Sequence, residues 1–342
     1  MNFYEHYYSL FVYRENNRIM KRKNIFIATI ISIFMLPLLS NAQEEIIIIE
    51  TFRKNAPERF DAPKTPSFTL VSKSGKYAMG IGGYVKGTVS MDFNGAINNA
   101  AYFTTSAIPV NPLPGNDKLL QYNVNQSNLS FNFVSLADKK SKFGAYINMN
   151  FSGNNYTPYI EDAYITYGGL LMGRTTSIFT DAAAIPPTID SEGPNGLTYK
   201  TNTVINYRSY WGERKRFSTG VGLEMPSTDF TVSDEQSVTN QFIPDFPSYI
   251  QYAWGKNNSS HIRLSSIIRN VNYRNNVQDK NNIISTYACQ LSGLLNVKDK
   301  LIFYYQLAYG TGITTYIQDV SGLKLDFMPR YVNDHNDKDA GK

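Results

Sequence analysis

The sequence predicts an all-β protein, specifically a transmembrane antiparallel β-barrel of the outer-membrane type. Three observations support this fold class. Short segments alternate apolar and polar residues, and the connections between them alternate between short and long. Charged residues make up only 18% of the 342 residues, below the roughly 25% of an average soluble domain. A chain of this length is sufficient for one large domain.

The N-terminal part of the sequence has the layout of a targeting segment. Basic residues follow Met20, residues 25–39 are apolar, and small residues at 40–42 suit a signal peptidase. The apolar run is shorter than the ~20 residues that a helical membrane span requires. We therefore expect Met20 to be the true start, cleavage to follow Ala42, and the mature chain to be exported.

The rest of the chain divides into a short and a long part. Residues 1–42 are assigned to an upstream extension plus the signal peptide. Residues 43–76 contain three prolines and a short isoleucine run, and we interpret them as a periplasmic tether or a short strand. From residue 77 to residue 342 the alternating pattern dominates, and we interpret this part as the β-barrel.

Eleven segments fit strands with one apolar and one polar face. Ile262, Leu264 and Ile268, for example, alternate with Arg263, Ser265 and Arg269, as expected when a strand separates two different solvents. The predicted strands are 85–93, 128–133, 143–152, 159–167, 170–179, 203–210, 217–224, 249–254, 262–270, 284–294 and 301–309.

The connections between these segments alternate in length. Long connections are predicted at 94–118, 180–201, 225–246 and 271–282, and short ones follow most of the intervening strands. Turns at one end and loops at the other are typical of outer-membrane barrels. A soluble β-sandwich also alternates apolar and polar residues. The alternative is therefore an exported soluble or surface β-rich binding protein, such as a glycan-binding module.

The stretch at 170–196 combines a strand with a long loop that contains paired prolines and paired glycines. Long loops without secondary structure are usually functional. We expect the 180–201 loop to fold inward and to constrict a pore. Its acidic residues, Asp181, Asp190 and Glu192, would then oppose a basic wall. A surface cap at a subunit contact is the alternative.

Basic residues within the strands predict the wall that this loop would face. An arginine on the lipid side costs about 2–4 kcal/mol near the membrane midplane, so we expect these side chains to face the lumen. The predicted lumen-facing residues are Lys86, Arg174 with Thr176, Arg208, Arg263 and Arg269. They form either a strip that attracts anions or pairs with Glu161, Asp162 or Glu224.

Catalytic, cofactor and metal sites are not predicted. The mature chain has two histidines, His261 and His335, and neither lies near a recognisable nucleophile motif. A strand serine paired with His261 is the enzymatic alternative. The single cysteine, Cys289, shares a face with apolar neighbours, and no metal-ligand spacing is present. The net charge of +5 is too small and scattered to predict nucleic-acid binding.

Several segments together resemble the DcaP-like porins, a family of trimeric outer-membrane channels. The segments are SNLSF at 127–131, NMNF at 148–151, EDAYI at 161–165, GRTTSIFTD at 173–181 and TIDSEGPNG at 188–196. The resemblance implies a homotrimer in outer-membrane lipid that passes small hydrophilic solutes by diffusion. The implied solutes include small anions such as dicarboxylates.

Two departures from the family pattern concern charge and length. Asn128 stands where the family usually has arginine, and Asn148 and Asn150 stand where it has carboxylates. The implied barrel has sixteen strands, whereas eleven are found here, or twelve if residues 321–332 add one. We therefore expect a C-terminally truncated member of the family.

Overall fold

The computed structural model describes residues 47–52, 66–97, 99, 108–111, 114–135, 143–297 and 301–328. The chain separates into two compact units. The first comprises Met1–Ile47 with Ser72–Ser74, and its described part is a short turn in which Ser72 Oγ lies 3.2 Å from Ser74 Oγ. The second comprises Ile48–Val71 and Gly75–Lys342 and contains the sheet. The predicted signal peptide lies outside the described residues.

The described residues form sixteen strands, and no helix among them is long and apolar enough to cross a membrane. The strands are β1 Ile47–Phe52, β2 Pro66–Val71, β3 Tyr77–Tyr84, β4 Thr88–Asp92, β5 Leu119–Asn123, β6 Asn128–Ser135, β7 Phe143–Asn150, β8 Tyr159–Tyr167, β9 Leu170–Thr176, β10 Thr201–Trp211, β11 Phe217–Glu224, β12 Gln236–Val238, β13 Phe246–Trp254, β14 Ser260–Asn275, β15 Lys280–Val297 and β16 Leu301–Gly310.

Fourteen strands belong to one sheet, in the order β1-β2-β3-β6-β7-β8-β9-β10-β11-β13-β14-β15-β16, with β12 paired to β14. The pairs from β2 to β16 are antiparallel. Strands β4 and β5 form a separate hairpin. The predicted all-β antiparallel architecture is confirmed, but the predicted number of eleven strands is wrong.

The first predicted strand, 85–93, is misplaced. Only Thr88–Asp92 is a strand there, and it pairs with β5 outside the main sheet. The main sheet instead uses β3, which pairs with β6. Three of the eight residues of β3 are glycine, so this strand shows no apolar and polar alternation that the sequence could reveal.

The sheet has an apolar face, whose side chains are exposed, and a polar face, whose side chains are buried. On β14, Ile262, Leu264 and Ile268 are exposed, whereas Arg263, Ser265 and Arg269 are buried. The same holds on β11, where Val221 and Leu223 are exposed and Ser218 and Glu224 are buried. A protein surrounded by water buries its large apolar side chains. The predicted alternation of two different faces along the strands is confirmed, and we call the two sides the apolar face and the polar face.

The ends of the sheet also differ. Residues 168–169, 212–216 and 255–259 are short connections at one end, the turn end, and residues 177–200 and 225–245 are long connections at the other, the loop end. The predicted long loop at 271–282 is wrong. There, β14 and β15 continue in register up to the pair Asn275–Lys280 and leave a turn of four residues.

Two further boundary predictions differ from the structure. The segment predicted as a tether or a short strand contributes two strands, β1 and β2, and Phe68 of β2 pairs with Ile81 of β3. Within the predicted twelfth strand, residues 321–328 form turns with one isolated bridge, between Leu325 and Phe230. The pair β1 and β2 was not predicted because proline and polar residues interrupt the alternating pattern in this segment.

Candidate pore-lining surface

The loop at 177–200 folds back over the polar face of β14 to β16. Ile178 and Phe179 are fully buried, and a 3-10 turn follows at Ala182–Ala184. Phe179 packs in a cluster with Ile267 of β14 and Ala288 of β15. Its ring also meets that of Tyr316 edge to face, with 5.7 Å between centroids. Apolar contacts therefore hold the start of the loop against the wall.

Asp181 fixes this loop to the wall by hydrogen bonds. Its Oδ2 accepts a hydrogen bond from Ser292 Oγ at 2.7 Å and lies 2.8 Å from His261 Nε2. Burial raises the pKa of Asp181, but the hydrogen bond and charge of His261, the charge of Arg263 and the Ser292 hydroxyl bring the net pKa below its ordinary value. The carboxylate is only 1% exposed, so it anchors the loop and does not point into open space.

The same geometry bears on the enzymatic alternative. Ser292 and His261 both contact one oxygen of Asp181. In a nucleophilic triad the serine contacts the histidine, and the carboxylate binds the other ring nitrogen. Ser292 is also fully buried. The arrangement is therefore a hydrogen-bonded anchor rather than an activated serine.

Arg263 is a second anchor for the loop. Its Nη2 donates to the backbone carbonyl of Ile178, and its Nε donates to Ser265 Oγ at 3.0 Å. The guanidinium carbon lies 3.7 Å from the ring centroid of Tyr249. Arg263 thus lies on the polar face, but the loop and an aromatic ring cover its charge.

Arg269 joins three segments of the loop end. Its Nε and Nη1 are each 3.1 Å from a carboxylate oxygen, of Asp245 and of Asp326 respectively. It also donates to the backbone carbonyls of Ser227 and Gly312. The predicted partners, Glu161, Asp162 and Glu224, are not the residues that pair with it. Because Arg269 is 0% exposed, it does not contribute an open charge to a basic strip on this face.

Tyr316 and Lys200 complete this buried cluster, and neither was predicted as a site residue from the sequence. Tyr316 Oη lies 3.1 Å from Glu224 Oε2 and 2.9 Å from Asp245 Oδ2, and burial raises its pKa. Lys200 Nζ donates to Ser227 Oγ at 2.6 Å and lies 4.1 Å from the Tyr316 ring. Burial and the nearby Arg269 charge lower the pKa of Lys200 to about 8.

Arg174 lies on the apolar face, which contradicts its predicted placement. It is directly opposite Thr203 on β10 and Ala163 on β8, in register with the exposed apolar residues of those strands. Its Nη2 donates to Tyr159 Oη at 2.8 Å and its Nε to the carbonyl of Ile160 at 3.2 Å. Long basic side chains can keep an apolar stem and extend the charge toward water.

The neighbouring threonines confirm the facing of β9. Thr175 is buried and donates to Asp162 Oδ1 at 2.7 Å. Since successive residues of a strand point to opposite faces, Thr176 shares the face of Arg174 and was also misplaced by the sequence. The predicted lumen-facing position of Arg174 rested on the cost of a lipid-facing arginine at the membrane midplane. Arg174 lies near the loop end instead.

Arg208 lies on the polar face of β10, opposite Gly220 of β11. Its Nε is buried, and no hydrogen-bond partner for that atom is found among the described residues. Asn206, two residues earlier on the same face, has both side-chain polar atoms buried, and no hydrogen-bond partner for either is found among the described residues. Buried polar groups normally have partners, often water, so this part of the polar face is suited to hydration.

Three asparagines form a neutral ladder on the polar face of β6 and β7. Asn128 Nδ2 donates to Asn148 Oδ1 at 2.6 Å. Asn148 Nδ2 in turn lies 3.1 Å from Glu161 Oε2 and 3.2 Å from Asp162 Oδ2, and Asn150 Nδ2 donates to Glu161 Oε1 at 2.6 Å. The amides therefore solvate two carboxylates, so this part of the wall is acidic rather than basic.

The tip of the loop reaches the segment that follows β3. Lys86 Nζ donates to the carbonyl of Ile189 at 2.8 Å, and Gln126 Nε2 donates to Ser191 Oγ at 2.6 Å. The loop thus extends from the wall at Asp181 to the residues around Lys86. Among the site residues predicted from the sequence, Lys86 and the loop residues are brought together.

Within the tip, the two predicted acidic residues have different surroundings. Asp190 Oδ1 accepts hydrogen bonds from the backbone of Glu192 at 3.0 Å and of Gly193 at 2.9 Å, which closes a tight turn. Burial raises the pKa of Glu192; a Gln318 hydrogen bond partly opposes this, and Asp190 and Asp319 reinforce it. Asp190 therefore shapes the tip through its backbone hydrogen bonds.

A cavity of about 520 Å³ opens beside this surface at the loop end. Arg174, Lys200 and Asp229 supply its charged lining, with Tyr159 and Gln318 among the neighbours. Within the part of the chain that the structure describes, no group of three or more His, Cys, Asp and Glu side chains is arranged to hold a metal ion.

Comparison with solved structures identifies the fold. The crystal structure of the outer membrane channel DcaP of Acinetobacter baumannii aligns with a TM-score of 0.60 and 18% identity, over 73% of this chain and 68% of that chain. OmpTdeltaL8, a loop L8 deletion mutant of the Vibrio cholerae outer membrane protein OmpT, aligns with a TM-score of 0.34 and 12% identity, over 68% of this chain and 81% of that one. No protein-family model and no curated protein sequence matches. The likeness to DcaP shows that the chain has the fold of an outer-membrane β-barrel channel.

Proposed function

We propose that this protein is an outer-membrane channel for the passive diffusion of small hydrophilic solutes. The inverted burial of the sheet supports this proposal. Ile262, Leu264 and Ile268 are exposed on one face, whereas Arg263 and Arg269 are buried on the other. Such a sheet matches hydrocarbon outside and water or polar loops inside. The fold shared with a solved outer-membrane channel supports the same conclusion.

We further propose that residues 177–200 set the width of the channel. The loop is fixed at its start by Asp181 and Arg263, and its tip reaches Lys86 through the carbonyl of Ile189. A segment held at both sides of the polar face is placed to narrow the path of a solute. Channel selectivity depends on the residues that line such a narrow region.

Charge selectivity is proposed to be weak. Arg263 and Arg269, two of the cations that could have formed an anion-attracting strip, are bound to loop carbonyls and carboxylates. Passage of small anions such as dicarboxylates, which the family resemblance implies, would depend on Arg208 of the polar face and on Lys86, whose Nζ also donates to the loop carbonyl of Ile189. The asparagine ladder places acidic Glu161 on the opposite part of the same face.

The alternative of a soluble β-rich binding protein is less compatible with the apolar face. Soluble monomers rarely expose contiguous apolar patches larger than a few hundred Å². Here the exposed large side chains continue across neighbouring strands, as in the paired residues Ile250, Leu264 and Leu291. A glycan-binding module would also need an exposed binding face rather than a covered one.

The test is single-channel conductance of the refolded chain in planar lipid bilayers. One variant replaces residues 188–193 by two glycines, which removes the loop tip and keeps the anchors at Ile178 and Asp181. We expect its conductance to exceed that of the wild type. Val277→Ser in the turn between β14 and β15, also at the loop end, is the control and should leave conductance unchanged.

The outcomes separate the two proposals. A folded, membrane-inserted wild type that never conducts would overturn the assignment as a channel. Conducting protein with equal currents before and after removal of the tip would retain the channel and reject the constriction. A salt gradient across the same bilayer measures selectivity, which we expect to be close to that of an uncharged pore.

A further inference from the structure

Four aromatic rings form a continuous row on the apolar face at the turn end. Trp211 stacks on Phe217 with 4.5 Å between ring centroids, Phe217 meets Tyr252 at 4.8 Å, and Tyr252 meets Trp254 at 6.0 Å. The register places Trp211, Phe217 and Tyr252 side by side on β10, β11 and β13. The row therefore crosses three strands at one level of the sheet.

Exposed apolar residues continue from this row toward the centre of the sheet. Val221 of β11 and Ile250 of β13 lie on the same face and are about half exposed. Amphipathic aromatic rings prefer the boundary between hydrocarbon and water. The row thus marks the level at which the apolar face meets the polar headgroup layer.

The two short turns directly beyond the row are basic. Arg214, Lys215 and Lys256 are exposed in the turns at 212–216 and 255–259. Asn258 Nδ2 donates to the carbonyl of Arg214 at 3.2 Å, which ties one turn to the other. Glu213 lies 3.7 Å from Arg214, but both side chains are largely exposed, and such a surface pair contributes little.

The turns are also backbone-constrained. Arg214 and Lys215 both have φ of 54°, and Gly212 precedes them with φ of 78°. Consecutive positive φ values are characteristic of tight hairpin turns that match the twist of the strands. The constraint leaves the two basic side chains at the extreme end of the hairpin, where they can meet an anionic surface without rearranging the backbone.

The loop end has the opposite charge. Residues 225–245 contain four acidic residues and no basic residue, whereas residues 212–216 contain three basic residues and one acidic residue. The basic charge therefore concentrates at the turn end, next to the aromatic row.

We propose that the turn end binds the headgroups of anionic phospholipids. This inference rests on the proposed membrane function and deepens it by naming the lipid class. Arg214, Lys215 and Lys256 contact the lipid phosphates, while the rings of Trp211 and Trp254 lie at the glycerol level. Basic residues near an anionic membrane surface contribute about 1 kcal/mol each. A free phosphate ion would engage the cations but would gain nothing from the aromatic row.

The chain provides its own probe for this site, because its only two tryptophans are Trp211 and Trp254. The full-length protein is reconstituted in two series of bilayers, one with increasing mole fractions of brominated phosphatidylglycerol and one with the same mole fractions of brominated phosphatidylcholine. Bromine in the acyl chains quenches tryptophan emission at short range. We expect brominated phosphatidylglycerol to reach half-maximal quenching at a several-fold lower mole fraction.

The test variant is the triple substitution Arg214→Gln, Lys215→Gln and Lys256→Gln, which should abolish that preference. Its matched control removes three basic residues at the loop end instead, through Arg274→Gln, Lys280→Gln and Lys324→Gln, and should retain the preference. Raising the salt concentration to 0.5 M should weaken the wild-type preference, because the Debye length falls to about 4–5 Å.

Each remaining outcome has a distinct meaning. Equal quenching by both lipids would keep the protein in the membrane and overturn the headgroup preference. A preference that survives in the triple variant would overturn the assigned residues. Removal of the preference by millimolar inorganic phosphate would show a free-anion site and overturn the lipid assignment. Absence of quenching by either lipid would place the rings outside a bilayer and overturn the proposed membrane function itself.

Discussion

The two faces of β14 differ in both chemistry and burial. The apolar face exposes Leu264 to its surroundings, whereas the polar face buries the guanidinium of Arg269 completely. A water-soluble sheet shows the reverse. The comparison teaches that hydrocarbon is the expected solvent outside, and that the charges inside are neutralised mainly by the protein's own loops rather than by open water. Around Arg269 the polar face is therefore a packed core made of charges and hydrogen bonds.

The largest expected effect comes from removing the central cation of that core. Arg269→Met leaves the carboxylates of Asp245 and Asp326 buried without their partner. Breaking a buried ion pair by removing one member costs about 3–5 kcal/mol. We expect a loss of this size in the free energy of unfolding, measured by urea titration of the detergent-folded or bilayer-folded protein.

Arg274→Met is the matched control on the same strand. Arg274 pairs with Asp279 in the turn at the loop end, where Asp279 is 84% exposed. Exposed ion pairs contribute roughly 0–1 kcal/mol, so little stability should be lost. Equal losses in the two variants would mean that the Arg269 cluster is open to water and that the polar face is not a packed core.

The apolar face provides the second prediction. Leu264 lies opposite Ile250 on β13 and Leu291 on β15, well within the strands. Leu264→Arg should destabilise the membrane-folded protein by about 2–4 kcal/mol, the cost of a midplane arginine. Leu264→Met, which keeps the volume and the apolar character, should cost less than about 1.5 kcal/mol. If the arginine variant is as stable as the methionine variant, the apolar face does not contact lipid.

The fold was largely predictable from the sequence because each strand separates two solvents. On β14 the alternation of Ile262, Leu264 and Ile268 with Arg263 and Arg269 specified both faces correctly. β3 escaped detection because glycines replace the side chains that would have shown its alternation. Local pattern thus predicts a strand only where side chains report the two faces.

The candidate site was less predictable because its contacts are long-range. Arg269 reaches Asp326, which is 57 residues away in sequence, and Asp181 reaches Ser292, which is 111 residues away. No local spacing encodes these partners. The facing of Arg174 was predicted wrongly for a different reason, because a sequence does not show how deep in the membrane a residue lies. The sequence therefore identified the charged residues of the polar face better than it identified what they bind.

The smallest predicted effect concerns the anchor of the loop. Asp181→Asn removes the negative charge beside Arg263 and weakens the hydrogen bonds from Ser292 and His261. Leaving a buried hydrogen-bonding group imperfectly paired costs about 1–3 kcal/mol. Because the folded-state pKa of Asp181 is lowered, its contribution to stability is complete above the ordinary aspartate pKa of about 4 and is lost as the pH falls through the lowered value.

The measurement is the free energy of unfolding of the wild type and the variant between pH 2 and pH 7. The difference should be constant above about pH 4 and should shrink below it, because the wild type then loses the ionised anchor that the variant never had. Asp279→Asn, at an exposed turn, is the control and should show a difference of roughly 0–1 kcal/mol. If the difference in free energy of unfolding between the wild type and Asp181→Asn stays constant down to pH 2, packing of Phe179, rather than the carboxylate, holds the loop on the polar face. The loop would then be held by apolar packing, and the polar face under the loop would not differ from an ordinary apolar core.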